Sequence, residues 1–205
     1  FDVMPFMARL RNVRNGLQHG VDMASTIKML RDPQAVAKSK QFPYRFFSAY
    51  REIKEVEGSE RVCDALEKAL ELSIKNVPHF PGTTFITTDN SASMEGTLSE
   101  KSKVRRIDVG CLLGAMAEKL CDNAIVSVFG TNFAVVKLTS EDILKDMEKM
   151  KNTFVEHSTE AWKTVGYLNE TKTKVDRILL FSDMQCYNRE DPTEWSNTVW
   201  RGGLL

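Results

Sequence analysis

Thr83-Thr84-Phe85-Ile86-Thr87-Thr88-Asp89-Asn90-Ser91-Ala92-Ser93-Met94 is a β-branched run that ends abruptly in an acid. Thr, Ile and Phe suit a pleated surface, so the run before Asp89 predicts a buried strand. Asp89 then falls at the strand's carboxyl end, where open α/β sheets form ligand sites. Asp-x-Ser-x-Ser on the next loop offers one carboxylate and two neutral hydroxyls to a common point. That hard, oxygen-only donor set suits Mg2+. Asx/Ser clusters after strands also serve as plain turns, so this stretch alone leaves the two readings level.

Two later stretches separate them. His157-Ser158-Thr159-Glu160-Ala161-Trp162 opens a helical pattern that predicts a helix over 159–170, with the Thr159 hydroxyl at its N-terminus and Glu160 as a solvated helix-start acid. Arg177-Ile178-Leu179-Leu180-Phe181-Ser182-Asp183 is a second apolar run ending in an acid. Asp89, Ser91, Ser93, Thr159 and Asp183 therefore occur in the chain order of a metal-ion-dependent adhesion site (MIDAS). From these residues the sequence resembles a von Willebrand factor A (vWA) domain. The resemblance implies an α/β, Rossmann-like, mostly parallel sheet flanked by helices. It also implies metal binding, with Mg2+ or Mn2+ held by these five residues. In that family the acid corresponding to Asp183 often acts through a water.

The neighbouring pattern agrees. Residues 104–121 predict a helix whose Gly110, Ala115 and Ala117 allow close packing on a sheet. Residues 124–129 and 133–138 predict strands joined by Gly130-Thr131-Asn132, an antiparallel edge hairpin. Helices are expected from Ser140-Glu141 to about Lys151 and again after Glu190, the latter carrying Trp195 and Trp200. The resemblance implies two further strands beyond that point, which the sequence does not contain. A sheet edge is therefore expected to need covering. The chain starts at Phe1, and both a fragment and a reduced relative remain open.

The first part reads as helices. Phe6, Leu10, Val13 and Leu17 form one apolar face, with Arg11, Arg14, Asn15 and Gln18 roughly opposite. A short helix is expected over 22–30, and Asp32-Pro33 starts another, Asp32 as N-cap. Residues 38–51 mix bases with aromatics, an interleaving that can stack on and neutralise nucleic acid. Phe42, Phe46 and Phe47 are read as core anchors, and Lys38, Lys40, Arg45 and Arg51 as contact candidates. Residues 59–77 predict one long helix capped by Ser59, followed by a linker rich in helix breakers. The expected division is 1–58, a connecting helix and linker over 59–81, and a vWA domain over 82–205.

Here a narrower resemblance appears. Met4-Pro5-Phe6-Met7-Ala8-Arg9-Leu10-Arg11-Asn12-Val13, with Lys40-Gln41-Phe42-Pro43-Tyr44-Arg45-Phe46 after it, is similar to the end of a TROVE module, though too short to close its ring of helical, HEAT-like repeats. That module precedes a vWA domain in the Ro ribonucleoprotein family, the order seen here. The resemblance implies binding of non-coding RNA, of the Y RNA type or as the 3′ ends of misfolded RNA, in RNA quality control. It implies a 3′ exonuclease such as polynucleotide phosphorylase as partner.

Charge is compatible with an anionic partner. The formal net charge is zero, but ten basic against four acidic residues give 1–54 a charge of +6 and leave −6 for 55–205. Arg11, Arg14, Lys38, Lys40, Arg45 and Arg51 are the RNA-contact candidates. The split also fits a basic face docked on an acidic one, or a solvated helix surface. With 42% apolar and 27% charged residues the composition is that of a soluble globular protein, with no membrane-spanning run or signal pattern. Cys63, Cys111, Cys121 and Cys186 form no CxxC pair, and as buried reduced thiols they favour a cytoplasmic setting.

Enzymatic readings lack their parts. A haloacid-dehalogenase-type phosphotransferase needs a second carboxylate where Ser91 stands. Ser93, His157 and Asp183 have no Gly-x-Ser-x-Gly elbow, and there is no GxxxxGK[ST] loop. The expectation is a binding module and not an enzyme. The rival expectation is a vWA adaptor that takes a partner protein's carboxylate through the metal and never touches RNA.

Overall fold

The β-branched run is strand β1, Phe80–Asp89, in the computed structural model, which describes residues 1–100, 102–139 and 142–184. The chain divides into two units, Phe1–His79 and Phe80–Leu205.

The first unit is helical: α1 (Phe6–Arg11), α2 (Val13–Gln18), α3 (Ala24–Arg31), α4 (Pro33–Ser39), α5 (Pro43–Ile53) and α6 (Glu60–Ser73). The expected continuous first helix is broken at Asn12, whose φ of −100° and ψ of 6° leave the helical region. Its side-chain amide donates to the Ala8 carbonyl at 2.8 Å, sharing that acceptor with its own backbone amide at 3.2 Å, which also donates to the Arg9 carbonyl at 3.1 Å. The apolar stripe survives the break, since Leu10 and Val13 are both buried. Asp32 caps α4 as expected, accepting from the Gln34 amide at 2.8 Å. Ser59 precedes α6 but makes no capping bond, because its ψ of −9° is helical and N-capping needs an extended residue. Nor is α6 a mere connector: it packs against α3, α4 and α5, with Val62, Leu66 and Leu70 buried.

Phe46 and Phe47 anchor this core, both fully buried, with the Phe6 ring edge-on to Phe46 at 6.1 Å. Phe42 does not; it is 68% exposed. The residue before a proline is held extended, and Phe42 (φ −72°, ψ 147°) ends outside the buried stripe of α5.

The second unit is a mixed α/β domain of vWA type, centred on β1. Every residue of β1 from Thr84 to Asp89 is buried. Strand β2 (Cys121–Phe129) pairs parallel with one side of β1, and β4 (Arg177–Phe181) parallel with the other. Strand β3 (Phe133–Val135) adds an antiparallel edge, giving the order β3-β2-β1-β4. This is the expected hairpin, closed by the Gly130 amide donating to the Asn132 carbonyl at 2.8 Å. Among the described residues β4 is the other edge, and Ile178 and Leu180 on it are exposed.

Helix α7 (Arg106–Lys119) crosses from β1 to β2, and its Gly110 lies against the sheet, where a Cβ would meet Thr88 Cγ2 at 3.1 Å. Helix α8 (Ile143–Lys151) is capped by Asp142, and α9 is Trp162–Thr171. Residues 140 and 141, expected to open α8, lie outside the described residues, as do Cys186 and the helix expected after Glu190. Cys63, Cys111 and Cys121 are free, but only Cys111 is fully buried. Burial pushes its thiol up, away from reactivity.

Candidate functional site

Parallel pairing decides where the acids go. Asp89 is in register with Phe129, the last residue of β2, and Thr88 with Phe181, the last of β4. The loops after β1, β2 and β4 therefore leave the same end of the sheet. Because β2 and β4 lie on opposite sides of β1, the strand order reverses there, the switch point at which such sheets bind ligands.

Four of the five adhesion-site candidates meet in one hydrogen-bonded chain. Asp89, fully buried, accepts from the Ser91 amide at 2.9 Å and from the Ser182 hydroxyl at 2.7 Å. The Ser91 and Ser93 hydroxyls lie 3.2 Å apart. Ser93 Oγ donates to Asp183 Oδ1 at 3.4 Å. The segment before Thr159 reaches the same loop, the Ala92 amide donating to the His157 carbonyl at 3.0 Å, but the Thr159 hydroxyl is not part of this chain of bonds.

Thr159 is not at a helix N-terminus, since α9 begins three residues later at Trp162. The backbone of 158–160 bonds instead to the β2–β3 loop: the Ser158 amide donates to Thr131 Oγ1 at 3.0 Å and the Glu160 amide to the Gly130 carbonyl at 3.1 Å. Gly130 is required at this approach, where a Cβ would stand 2.6 Å from the Val155 and Glu156 carbonyls. Glu160 is not solvated either. It is 3% exposed and pairs with Lys163 at 3.0 Å.

Two residues at this site escaped the sequence reading. Ser182 holds Asp89; its position beside Asp183 was the only sign. Arg106, at the start of α7, donates from Nη1 to Asp183 Oδ2 and to the Ser93 carbonyl, both at 3.1 Å. No local pattern marks it, because both partners are distant in sequence.

The electrostatics are those of an incomplete anion pair. Burial raises the Asp89 carboxyl above its ordinary value, Asp183's charge pushes the same way, and the Ser91 and Ser182 hydrogen bonds pull back. A cation set between these carboxylates would relieve that cost. The donors are carboxylates and hydroxyls, which fit a hard divalent ion. Among the described residues there is no group of three or more His, Cys, Asp and Glu that could hold a metal. The hydrolase alternative gains nothing, since the His157 ring packs edge-on to Phe154 at 6.3 Å and Ser93 is engaged with Asp183.

In the helical unit, Arg11, Arg14 and Arg45 line one groove of about 270 Å3 between α1, α2 and α5. Arg11, Arg14 and Asn15 share one face of the broken helix, and Arg45, Ser48, Ala49 and Glu52 share one face of α5. Arg14 Nη1 pairs with Glu52 at 3.0 Å across it. Lys38 and Lys40 are exposed at the end of α4, Lys40 as a left-handed C-cap, and Arg51 is half-buried. None of these three lines the groove.

Residues 1–61 match the family model of the TROVE domain. No curated protein matches the chain. Among solved structures it is similar to the Ro (RSR) protein of Deinococcus radiodurans, with a TM-score of 0.72 and 22% identity over 91% of this chain and 41% of that one. At this identity the likeness carries the fold, and the chain spans less than half of that protein's length. The Ro-type order, TROVE sequence followed by a vWA-type sheet unit, is thus present.

Proposed function

We propose that the chain binds non-coding RNA through the basic face of its helical unit and holds Mg2+ or Mn2+ among Asp89, Ser91, Ser93, Thr159 and Asp183. The observation that carries the RNA reading is the convergence of Arg11, Arg14 and Arg45 on one groove, within the segment that matches the TROVE model. Arginine neutralises phosphate and stacks on bases, and the excess of positive charge in 1–54 supplies attraction at a distance. Lys38, Lys40 and Arg51, which lie outside the groove, are further phosphate contacts for a longer strand. The RNA class is the one that the Ro resemblance implies, Y-type RNAs and the 3′ ends of misfolded RNA in quality control. A 3′ exonuclease such as polynucleotide phosphorylase is the matching partner, and the cytoplasm the matching compartment. Among the described residues no helix is long and apolar enough to cross a membrane.

The cation would supply a fixed positive charge for an anionic ligand, and this chain's residues hold and orient it. The role is binding and not catalysis. The adaptor reading, a partner protein's carboxylate taken on the metal without RNA, rests on the same four-residue cluster and is distinguished by the test. Protein purified without nuclease should carry nucleic acid that high salt strips off. Arg11→Ala/Arg14→Ala should weaken RNA binding while Mn2+ binding persists. Absence of RNA binding with intact Mn2+ binding would select the adaptor.

A further inference from the structure

Phosphate neutralisation does not account for the makeup of the helical unit's groove. Its rim is basic, yet Glu52 stands among the arginines with its carboxylate 3.0 Å from Arg14 Nη1. A carboxylate beside a phosphate path costs affinity, because like charges repel. The floor is apolar: the half-buried Met7 and Ala49 line it, over the buried Leu10, Val13 and Ile53. A sugar–phosphate backbone has no use for such a floor. An unpaired base uses both features, an apolar surface for its π-face and polar groups for its edge. The volume of about 270 Å3 falls just under the roughly 300–1,000 Å3 of small-molecule pockets, room for one planar group and not for a paired duplex.

From this geometry we infer that the groove between α1, α2 and α5 is a subsite for a single unpaired RNA base. Glu52 and Ser48 meet the base edge, and Arg11 and Arg45 hold the flanking phosphates. The inference rests on the RNA-binding reading and deepens it. Glu52 is an acceptor only, so it selects edges that present amino N–H groups, as cytosine and adenine do. Uracil sets two carbonyl oxygens on either side of its one N–H, and these face the carboxylate unfavourably. Arg14 fixes the orientation of Glu52 by pairing with it from the opposite wall. The groove therefore prefers amino-bearing bases over uracil, a preference that backbone contacts alone do not produce.

The test uses the full chain with short single-stranded RNAs of A, C or U, and with an oligonucleotide carrying 2-aminopurine at each position in turn. Fluorescence of the probe should rise at one position, where the base leaves its neighbours' stack for a floor without aromatic rings. Oligo-U should bind about fivefold or more weakly than oligo-C, the low end of what a read base edge discriminates. Glu52→Gln should shrink that ratio below about twofold, and because it releases Arg14 it should steepen the salt slope by no more than the roughly 0.7 of one added phosphate contact. Should that variant melt below the assay temperature, Ala49→Leu, which fills the groove from α5, should erase the same preference. RNA binding with no brightened position and equal affinity for the three oligomers would overturn the base subsite and leave the RNA reading standing. No binding of any oligomer at low salt would overturn both.

Discussion

Asp89 is held in place at a cost. Its carboxylate is buried, its hydrogen bonds come from the neutral Ser91 and Ser182, and Asp183 opposes its ionisation. The folded carboxyl therefore keeps its proton to higher pH than the unfolded chain does. Its contribution to metal-free stability is fully present below the unfolded value and is lost as pH rises through the raised one. Asp89→Asn keeps an acceptor for the Ser91 amide and removes the charge. In chelator, thermal melts should show the wild-type protein losing stability with rising pH and Asp89→Asn losing less. Adding Mg2+ at about a hundredfold over its Kd should return about 2.7 kcal/mol to wild type and nothing to the variant. Arg106 is the other test at this scale. A metal held at Asp183 would share it with the guanidinium, which is 3.1 Å from Oδ2 and 42% exposed, the carboxylate being 11% exposed. A pair with one partner this open to solvent is worth less than about 1 kcal/mol, so Arg106→Gln should tighten Mn2+ binding by about two- to fivefold in calorimetric titration. Unchanged or weaker binding would show that Arg106 does not compete for Asp183.

Among the elements, α5 shows how one helix serves core and surface. Phe46 and Phe47 point into the helical unit, while Arg45, Ser48 and Glu52 face the groove. Phe46→Ala should destabilise by about 3–5 kcal/mol in denaturant unfolding, a fully buried ring being lost. Phe42→Ala should stay within about 0.5 kcal/mol, because its ring is already solvated. Aromatic spacing alone does not separate these two; the proline after Phe42 does. The same contrast runs through the rest of the chain. Asp89 at a strand end was legible, because a β-branched run closed by Asp-x-Ser-x-Ser leaves little choice of geometry. The break at Asn12 was not, since the apolar stripe continues across it and the side-chain bond to the Ala8 carbonyl leaves no mark in the residue pattern. The helix start at Thr159 was misplaced because Ser-Thr-Glu reads as a cap locally, whereas the β2–β3 loop captures those amides. Ser182 and Arg106 act through contacts between segments far apart in sequence, which no window on the chain displays.

For the molecule as a whole, charge separates what net charge conceals. Zero overall, the chain carries +6 within 1–54 and −6 beyond. Attraction to a polyanion must then come from the first segment, and its salt dependence counts the contacts made. Each phosphate neutralised on a single strand adds roughly −0.7 to the slope of log affinity against log salt. If Arg11, Arg14, Lys38, Lys40, Arg45 and Arg51 all meet phosphates, the slope should approach about −4. If Arg14 stays with Glu52 and only Arg11 and Arg45 hold the backbone, it should be about −1.4. The groove geometry favours the shallow value for an RNA short enough to occupy the groove alone, and a steeper one as a longer strand reaches Lys38 and Lys40 on α4. Fluorescence anisotropy across a salt series with oligonucleotides of increasing length makes the measurement. A slope that is steep from the shortest oligomer onward would mean that Arg14 leaves Glu52 for phosphate. A slope near zero at every length would remove the basic face from RNA binding altogether.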